Sequence, residues 1–213
     1  RVWIGEAGRP DPDWRRLTCL LERIVRMATE GGVGALATAA ATLRIRVTDE
    51  NLSNPPAALE LSNEMLGELG RAPRILAAKA KVLWRSGQAQ DALALYDEAI
   101  PSFDLSRPWL TDTLREAGMA AGRAGNWRLA AARFASAVPP KTGEEPLERR
   151  VGLMFEQGLS LHLAGETRRA VEVFGEAIAE LIEDGDPDPP EPLRSIRQLG
   201  SHAIKLVKLD LEG

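Results

Sequence analysis

The sequence has few of the residues from which chemical sites are built. It contains one cysteine and two histidines among 213 residues, which excludes an internal disulfide and a zinc site made of several cysteines. Neither a G-x-S-x-G motif nor a Walker-type phosphate motif occurs. His162 and His202 could lie within reach of each other, but a third metal ligand is missing. We therefore expect no catalytic residue, no metal and no cofactor.

Long apolar runs, aromatic residues and excess positive charge are also scarce. No stretch of 18 apolar residues occurs, so no membrane insertion is predicted. Aromatic residues make up 5% of the chain and apolar residues 44%, many of them alanine, which favours closely packed helices. The formal net charge is -4, whereas a nucleic-acid-binding protein is usually basic. We expect no nucleic-acid partner and a cytoplasmic location, although a cysteine-poor periplasmic protein would have the same composition.

The start of the chain and its composition indicate something of its origin. The first residue is Arg1 rather than methionine, and we read the chain as a piece of a longer protein or as one trimmed at its start. Arginine exceeds lysine, and alanine and glycine are common, as in bacteria with GC-rich genomes.

Three segments of the chain repeat the same four small and aromatic residues. They cover residues 75–100, 114–138 and 152–178, and each has helical apolar periodicity on both sides of a glycine. The frame comprises Gly87, Ala92, Tyr96 and Ala99, then Gly125, Ala130, Phe134 and Ala137, then Gly165, Ala170, Phe174 and Ala177.

Each position of this frame has a physical role in a helical hairpin. The glycine ends the first helix, because it adopts a left-handed conformation at little cost. The alanine five residues later lets the second helix lie close to the first. The aromatic residue and the last alanine lie on that same face. A single hairpin cannot bury its apolar surface alone, so the hairpins are predicted to stack.

On these residues the chain resembles the tetratricopeptide repeat. The small residue of the family's first helix corresponds to Ala80, Gly118 and Gly158. The resemblance implies an all-α solenoid of stacked antiparallel hairpins, with roughly ten helices. The family's tryptophan is absent, and the turn glycines are 38 and 40 residues apart instead of 34. We place the surplus in the links Pro101–Pro108 and Pro139–Pro146, where prolines stop helices.

The pattern also predicts the organisation along the chain. Residues 1–33 form an N-terminal segment with an amphipathic helix, and residues 34–182 form the repeats, with the best units at 73–104, 111–140 and 151–182. An earlier hairpin is predicted to join a helix over 34–47 to one over 55–69, with Ala58 in the alanine position. An acidic, proline-rich loop covers 183–191, and a capping helix covers 192–213.

Several local features have ordinary structural explanations. The helix over 13–29 is expected to bury Trp14, Leu17, Leu21 and Ile24, with Cys19 as a small core residue rather than a nucleophile. The glycines of residues 30–36 are read as a turn between helices rather than a phosphate loop. The charged residues from Glu144 to Arg150 are read as a solvated helix start.

The resemblance also implies a binding groove, because the first helices of such repeats line the concave side and hold peptides. The arginines favour an acidic segment or a free carboxyl terminus, or they form a solvated face. Trp84 is expected to anchor the partner. Phe155 and Leu159 either face the partner or pack against the capping helix. The predicted partner-binding residues are Arg74, Lys81, Trp84, Arg85, Arg115, Met119, Arg123, Phe155, Leu159 and His162.

Three functions remain open at this point. The leading hypothesis is a protein-interaction module that holds a protein or peptide segment. The alternative is a regulatory or sensor segment of a larger signalling protein or ATPase. The third is catalysis by this chain, which would depend on His162 and His202. Self-association is also possible, because an uncovered apolar face near Arg1 would favour it.

Overall fold

The computed structural model of the chain describes residues 13–102, 107–141 and 146–183. Helices account for most of these residues, and no strand occurs among them. A π-helical turn covers Val47–Asn51, and a 3-10 turn covers Ile100–Ser102. The α-helices of the described ranges are α1 (Trp14–Glu30), α2 (Gly34–Arg46), α3 (Pro55–Leu69), α4 (Pro73–Arg85), α5 (Ala89–Ala99), α6 (Arg107–Arg123), α7 (Trp127–Ala137), α8 (Leu147–Leu163) and α9 (Thr167–Glu183).

One kind of turn recurs between helices. The turn glycines are Gly32, Gly87, Gly125 and Gly165, and all of them have φ between 70° and 89°. Each glycine N–H donates to the carbonyl three residues earlier, and the next N–H donates to the carbonyl five residues earlier. These bonds satisfy the last carbonyls of the first helix. The turn predicted at 30–36 is therefore confirmed.

The chain divides into two compact units, and the boundary between them along the chain follows Val82 in α4. In unit 1, residues 1–82, α1 packs against α2 and α2 packs against α3. The first part of α4 shares one buried cluster with these helices, which includes Leu21, Ile45, Met65 and Ile75. The Lys79 ammonium also donates to the Asn63 side chain of α3 at 2.7 Å.

Unit 2, residues 83–213, contains the end of α4 and helices α5 to α9. Consecutive helices pack together along α5, α6, α7, α8 and α9. The frame alanines Ala92, Ala130 and Ala170 are fully buried, as close helix contact requires. Gly118 and Gly158 lie in first helices, and the absence of a side chain at these positions leaves room for the aromatic residue of the second helix. A Cβ on Gly158 would lie 2.5 Å from Cε1 of Phe174.

Two expectations for the N-terminal helix were wrong. Cys19 is exposed, because the buried face of α1 consists of Leu21, Val25 and Ala28, and residue 19 lies on the opposite side of the helix. Ile24 is exposed as well. The sequence also predicted that α2 and α3 form a hairpin of the repeat type. In the structure the glycine turn of that type, at Gly32, joins α1 to α2. The predicted capping helix, 192–213, and the loop 183–191 fall outside the described residues apart from Glu183.

Candidate peptide-binding site

An apolar pocket opens between α6, α7 and α8 in unit 2. Its volume is about 330 Å³, at the small end of the range for ligand pockets. Aromatic rings form much of its wall, Met119 and Leu159 stand beside them, and Arg123 and Glu156 supply opposite charges. We call this cavity the apolar pocket; it is lined by Trp84, Gly118, Met119, Gly122, Arg123, Trp127, Phe134, Glu156, Leu159 and Ser160.

Two glycines of α6 explain why rings can line this cavity. A Cβ on Gly118 would lie 2.9 Å from Cε1 of Phe134, and a Cβ on Gly122 would lie 3.0 Å from Cζ3 of Trp127. Both separations are below normal van der Waals contact, so any larger residue would displace a ring. Since the glycines are four residues apart, they lie on one face of α6 and set both rings against it.

Trp84 forms part of this wall and does not protrude into a groove. Only 7% of its surface is exposed, so it is not the exposed anchor expected from the sequence. The indole Nε1 donates to Glu116 Oε2 at 3.2 Å, and the Arg123 guanidinium carbon lies 5.8 Å from the ring centroid, within cation–π range. These contacts fix the orientation of the ring.

The neighbouring Tyr96 hydroxyl is buried and has no well-aligned hydrogen bond. Burial raises the pKa of Tyr96 well above its usual value, the charge of Glu116 raises it further, and the nearby Trp84 indole has a smaller opposing effect. The phenol is therefore neutral at physiological pH.

A second cavity, of about 380 Å³, lies on the same side of α6 and α8. The Arg149 guanidinium of α8 reaches Asp112 of α6 at 2.6 Å, and Arg115 is exposed at the edge. Glu156 belongs to both cavities. We call this cavity the charged pocket; it is lined by Asp112, Arg115, Glu148, Arg149, Gly152, Leu153 and Glu156.

The predicted binding residues separate into groups. Trp84, Met119, Arg123 and Leu159 line the apolar pocket, and Arg115 lines the charged pocket. Exposed Arg85, in the last turn of α4, lines neither.

The predicted residues of unit 1 lie on α4. Arg74 and Lys81 are both half-buried. The Lys81 ammonium lies 3.0 Å from Glu50, as an ion pair without the alignment of a hydrogen bond. Part of the cationic character expected of this helix is therefore already neutralised.

Phe155 and His162 of α8 line neither pocket. The Phe155 ring packs at 5.3 Å from the ring of Phe174 in the core of the last hairpin. Phe155 is thus oriented toward α9, while Leu159, four residues later, is 49% exposed. His162 is half-buried, and its Nδ1 is enclosed with no hydrogen-bond partner.

The sequence pattern missed several residues that hold this region together. Arg150 was read as part of a solvated helix start, but it forms two hydrogen bonds to Glu180, at 2.7 and 2.9 Å, and another to the Pro139 carbonyl. The Glu180 hydrogen bonds raise the pKa of Arg150, against the effect of burial. A helical wheel of α9 would have placed Glu180 on a partly buried face, which was the available signal.

Metal-ligand clusters and membrane-spanning helices are both absent from the described residues. No group of three or more His, Cys, Asp or Glu side chains within them converges as metal ligands would, and His202 lies outside these ranges. Among the helices that the structure describes, none has the length and apolar character needed to cross a bilayer.

Known structures resemble this chain, although no protein-family profile and no curated protein sequence matches it. The crystal structure of MamA protein is 14% identical, with a TM-score of 0.57 over 83% of this chain and 98% of that one. A putative kinesin light chain from Podosopora anserina, with nearly identical TPR-like repeats, is 16% identical, with a TM-score of 0.53 over 93% and 87%.

A second MamA structure, from Desulfovibrio magneticus RS-1, is 15% identical, with a TM-score of 0.51 over 92% and 95% of the two chains. At these identities the likeness concerns the fold. It agrees with the recurring glycine turns and buried alanines described above. The chain therefore has the tetratricopeptide-type fold of stacked antiparallel helical hairpins that the sequence predicted.

Proposed function

We propose that unit 2 binds a protein or peptide segment along α6 and α8, with an apolar side chain of the partner in the apolar pocket. The observation that carries this proposal is the pocket itself: a cavity walled by Trp84, Trp127 and Phe134 and bordered by Leu159, which is half exposed. Pockets lined by aromatic side chains, which a partner fills and desolvates, are typical of binding hot spots. Helical-repeat proteins commonly bind segments of other proteins on their first helices.

The two pockets together indicate the length of the bound segment. Their lining residues on α6 run from Asp112 to Arg123, which corresponds to about 16 Å along a helix axis. An extended chain advances about 3.3 Å per residue. A segment of roughly five residues would therefore reach from one pocket to the other.

The charges around the pockets support a preference for an acidic side chain near the apolar anchor. Arg115 and Arg123 are exposed, and arginine can hold a carboxylate through two hydrogen bonds. Arg149 already pairs with Asp112, and Glu148 and Glu156 also line the charged pocket. The preference for acidic segments therefore rests on Arg115 and Arg123. It is a more specific part of the proposal than the binding of an apolar side chain in the apolar pocket.

A peptide-display experiment tests the apolar anchor. A random library should enrich sequences with a large apolar residue at one position, and synthetic peptides should bind in a titration. Leu159→Glu should weaken binding by at least about tenfold, since it places a charge beside a desolvated contact. Leu163→Glu is the matched control, because Leu163 is 48% exposed on the same helix and lines neither pocket.

The outcomes separate the two parts of the proposal. Equal binding to the Leu159→Glu and Leu163→Glu variants would contradict the pocket assignment, as would a library without enrichment. Arg115→Glu with Arg123→Glu should shift the selected peptides from acidic to neutral or basic. If acidic peptides bind that variant unchanged, the acidic preference is wrong while the apolar anchor stands. A regulatory or sensor segment of a larger signalling protein or ATPase could use the same site, and this alternative stays a prediction.

A further inference from the structure

The outer face of α1 in unit 1 carries an exposed apolar stripe. Leu20, Ile24 and Met27 are 47%, 39% and 68% exposed, and their spacing places them on one side of the helix. Single exposed apolar residues are ordinary, but a continuous stripe marks an interaction surface.

The turn glycines identify the equivalent face in the other hairpins, because positions can be counted back from them. Leu20, Ile24 and Met27 stand 12, 8 and 5 residues before Gly32. The equivalent positions of the later first helices are all buried or half-buried, and α5 packs against α6 as α7 packs against α8. This face thus normally contacts a preceding helix. The equivalent residues are Ile75, Lys79 and Val82 in α4, Thr113, Ala117 and Ala120 in α6, and Leu153, Gln157 and Ser160 in α8.

The stripe of α1 is more apolar than its equivalents and has the spacing of a coiled-coil seam. Leu20 and Met27 occupy d positions and Ile24 an a position of a heptad. Arg16, Arg23 and Glu30 follow at intervals of seven, which makes them g positions along one edge of the stripe, and all three are exposed. The opposite edge faces the hairpin's own core.

These charges favour a particular partner. When two such helices pair antiparallel, g positions meet g positions. Two copies of α1 aligned about Arg23 would place Arg16 of each copy beside Glu30 of the other, while the two Arg23 side chains would meet at the axis. The edge would then hold two pairs of opposite charge against one pair of like charge. Leu20 would then pack against Ile24 of the other copy. A parallel pair would set the g positions against the edge that is buried in the hairpin, without charge partners.

We propose that α1 pairs with α1 of a second copy of this chain, antiparallel and about a two-fold axis near Arg23. Such an interface is self-complementary and closes as a dimer rather than growing into a fibre. It joins only one helix from each copy, so it falls among the small, reversible interfaces. The inference concerns unit 1 and is independent of the peptide site in unit 2.

Sedimentation velocity of the full chain over a range of concentrations tests this pairing. The mass should rise toward that of a dimer as the concentration approaches about 0.5 mM, far above micromolar dissociation constants. Arg16→Glu should weaken the dimer by at least about tenfold, because it sets a second negative charge against Glu30 at both ends of the interface. The Arg16→Glu, Glu30→Arg double variant should restore it.

Arg15→Glu provides the matched control. It makes the same charge change one residue earlier, at the outermost f position, where the side chain is exposed. This variant should dimerise like the parent chain, and circular dichroism should show equal helix content in all variants. A chain that stays monomeric at about 0.5 mM, well above typical weak dissociation constants, would overturn the proposal. A dimer equally sensitive to Arg15→Glu and Arg16→Glu, or not restored by the double variant, would do the same.

Discussion

The hairpins α1–α2 and α8–α9 have the same type of turn, but they fill the space between their two helices in opposite ways. Seven residues before the turn glycine and nine after it, α8–α9 has Gly158 and Phe174, a very small and a large residue. At the same two positions α1–α2 has Val25 and Ala41, which are both buried in the cluster of unit 1. The sizes are exchanged between the helices. A hairpin of this kind therefore requires a combined side-chain volume at these positions, not an aromatic residue in a fixed place.

The largest expected effect comes from breaking this complementarity in α8–α9. Phe174→Ala should destabilise the protein by about 3–5 kcal/mol, because it empties the space above Gly158. Gly158→Val alone should cost about 3 kcal/mol, since even its Cβ would lie 2.5 Å from the Phe174 ring. The double variant reproduces the sizes found in α1–α2. Urea unfolding should then show a loss at least about 1 kcal/mol smaller than the sum of the two single losses.

Additive losses in this series would contradict the comparison. They would mean that the valine and the alanine do not share the space that the glycine and phenylalanine share. The parent chain and both single variants are the controls within the same cycle.

A smaller effect is expected where the fit is slightly looser. Gly118→Ala brings a Cβ to 2.9 Å from Phe134 Cε1, and we expect a net loss of about 1–2 kcal/mol after the gain in helix propensity. Gly175→Ala in α9 is the control, because nothing lies within 4 Å of that Cβ position. It should stabilise the protein by up to about 1 kcal/mol. Thermal unfolding of both variants measures the difference, and a stabilising Gly118→Ala would refute the close fit.

The smallest effect at neutral pH is expected at Tyr96, the frame position that is phenylalanine in α7 and α9. Tyr96→Phe should change stability by less than about 1 kcal/mol at pH 7, because the hydroxyl has no aligned partner to lose. Its raised pKa means that the folded chain keeps a proton that the unfolded chain releases. The parent protein should therefore lose stability above about pH 10.

The Tyr96→Phe variant should lack this part of the alkaline loss. Unfolding midpoints measured between neutral pH and about pH 11 would show the two proteins diverging. Parallel curves across that range would contradict the role assigned to the buried phenol.

The sequence was informative where one residue type determines the backbone or the packing. Glycine at a left-handed turn and alanine at a close helix contact are local requirements, so hairpins and most helix boundaries could be predicted. The first hairpin was missed as a pair because its large residue, Val25, precedes the turn while the frame sought an aromatic residue after it. Only the packed structure reveals that the two arrangements are equivalent.

The binding residues were harder to predict, because a helix face is broad and the sequence does not say how far each side chain turns. Met119 and Leu159 line the apolar pocket, while Phe155, one turn before Leu159, is oriented toward α9. Trp127 and Phe134 belong to a second helix, which the expectation of a groove made of first helices left out. The ion pairs of Arg149 and Arg150 depend on which helices become neighbours.

The contacts of Arg150 bear on how easily this chain can be altered. One side chain ties α8 to Glu180 of α9 and reaches back to the Pro139 carbonyl, just after α7. The beginning and the end of the link between the two hairpins are therefore fastened together by a side chain. Because this side chain fixes where α8 begins relative to the end of α7, we expect the placement of these helices to depend little on the number of residues between them. A tag or a recognition loop inserted between them should therefore leave the fold intact.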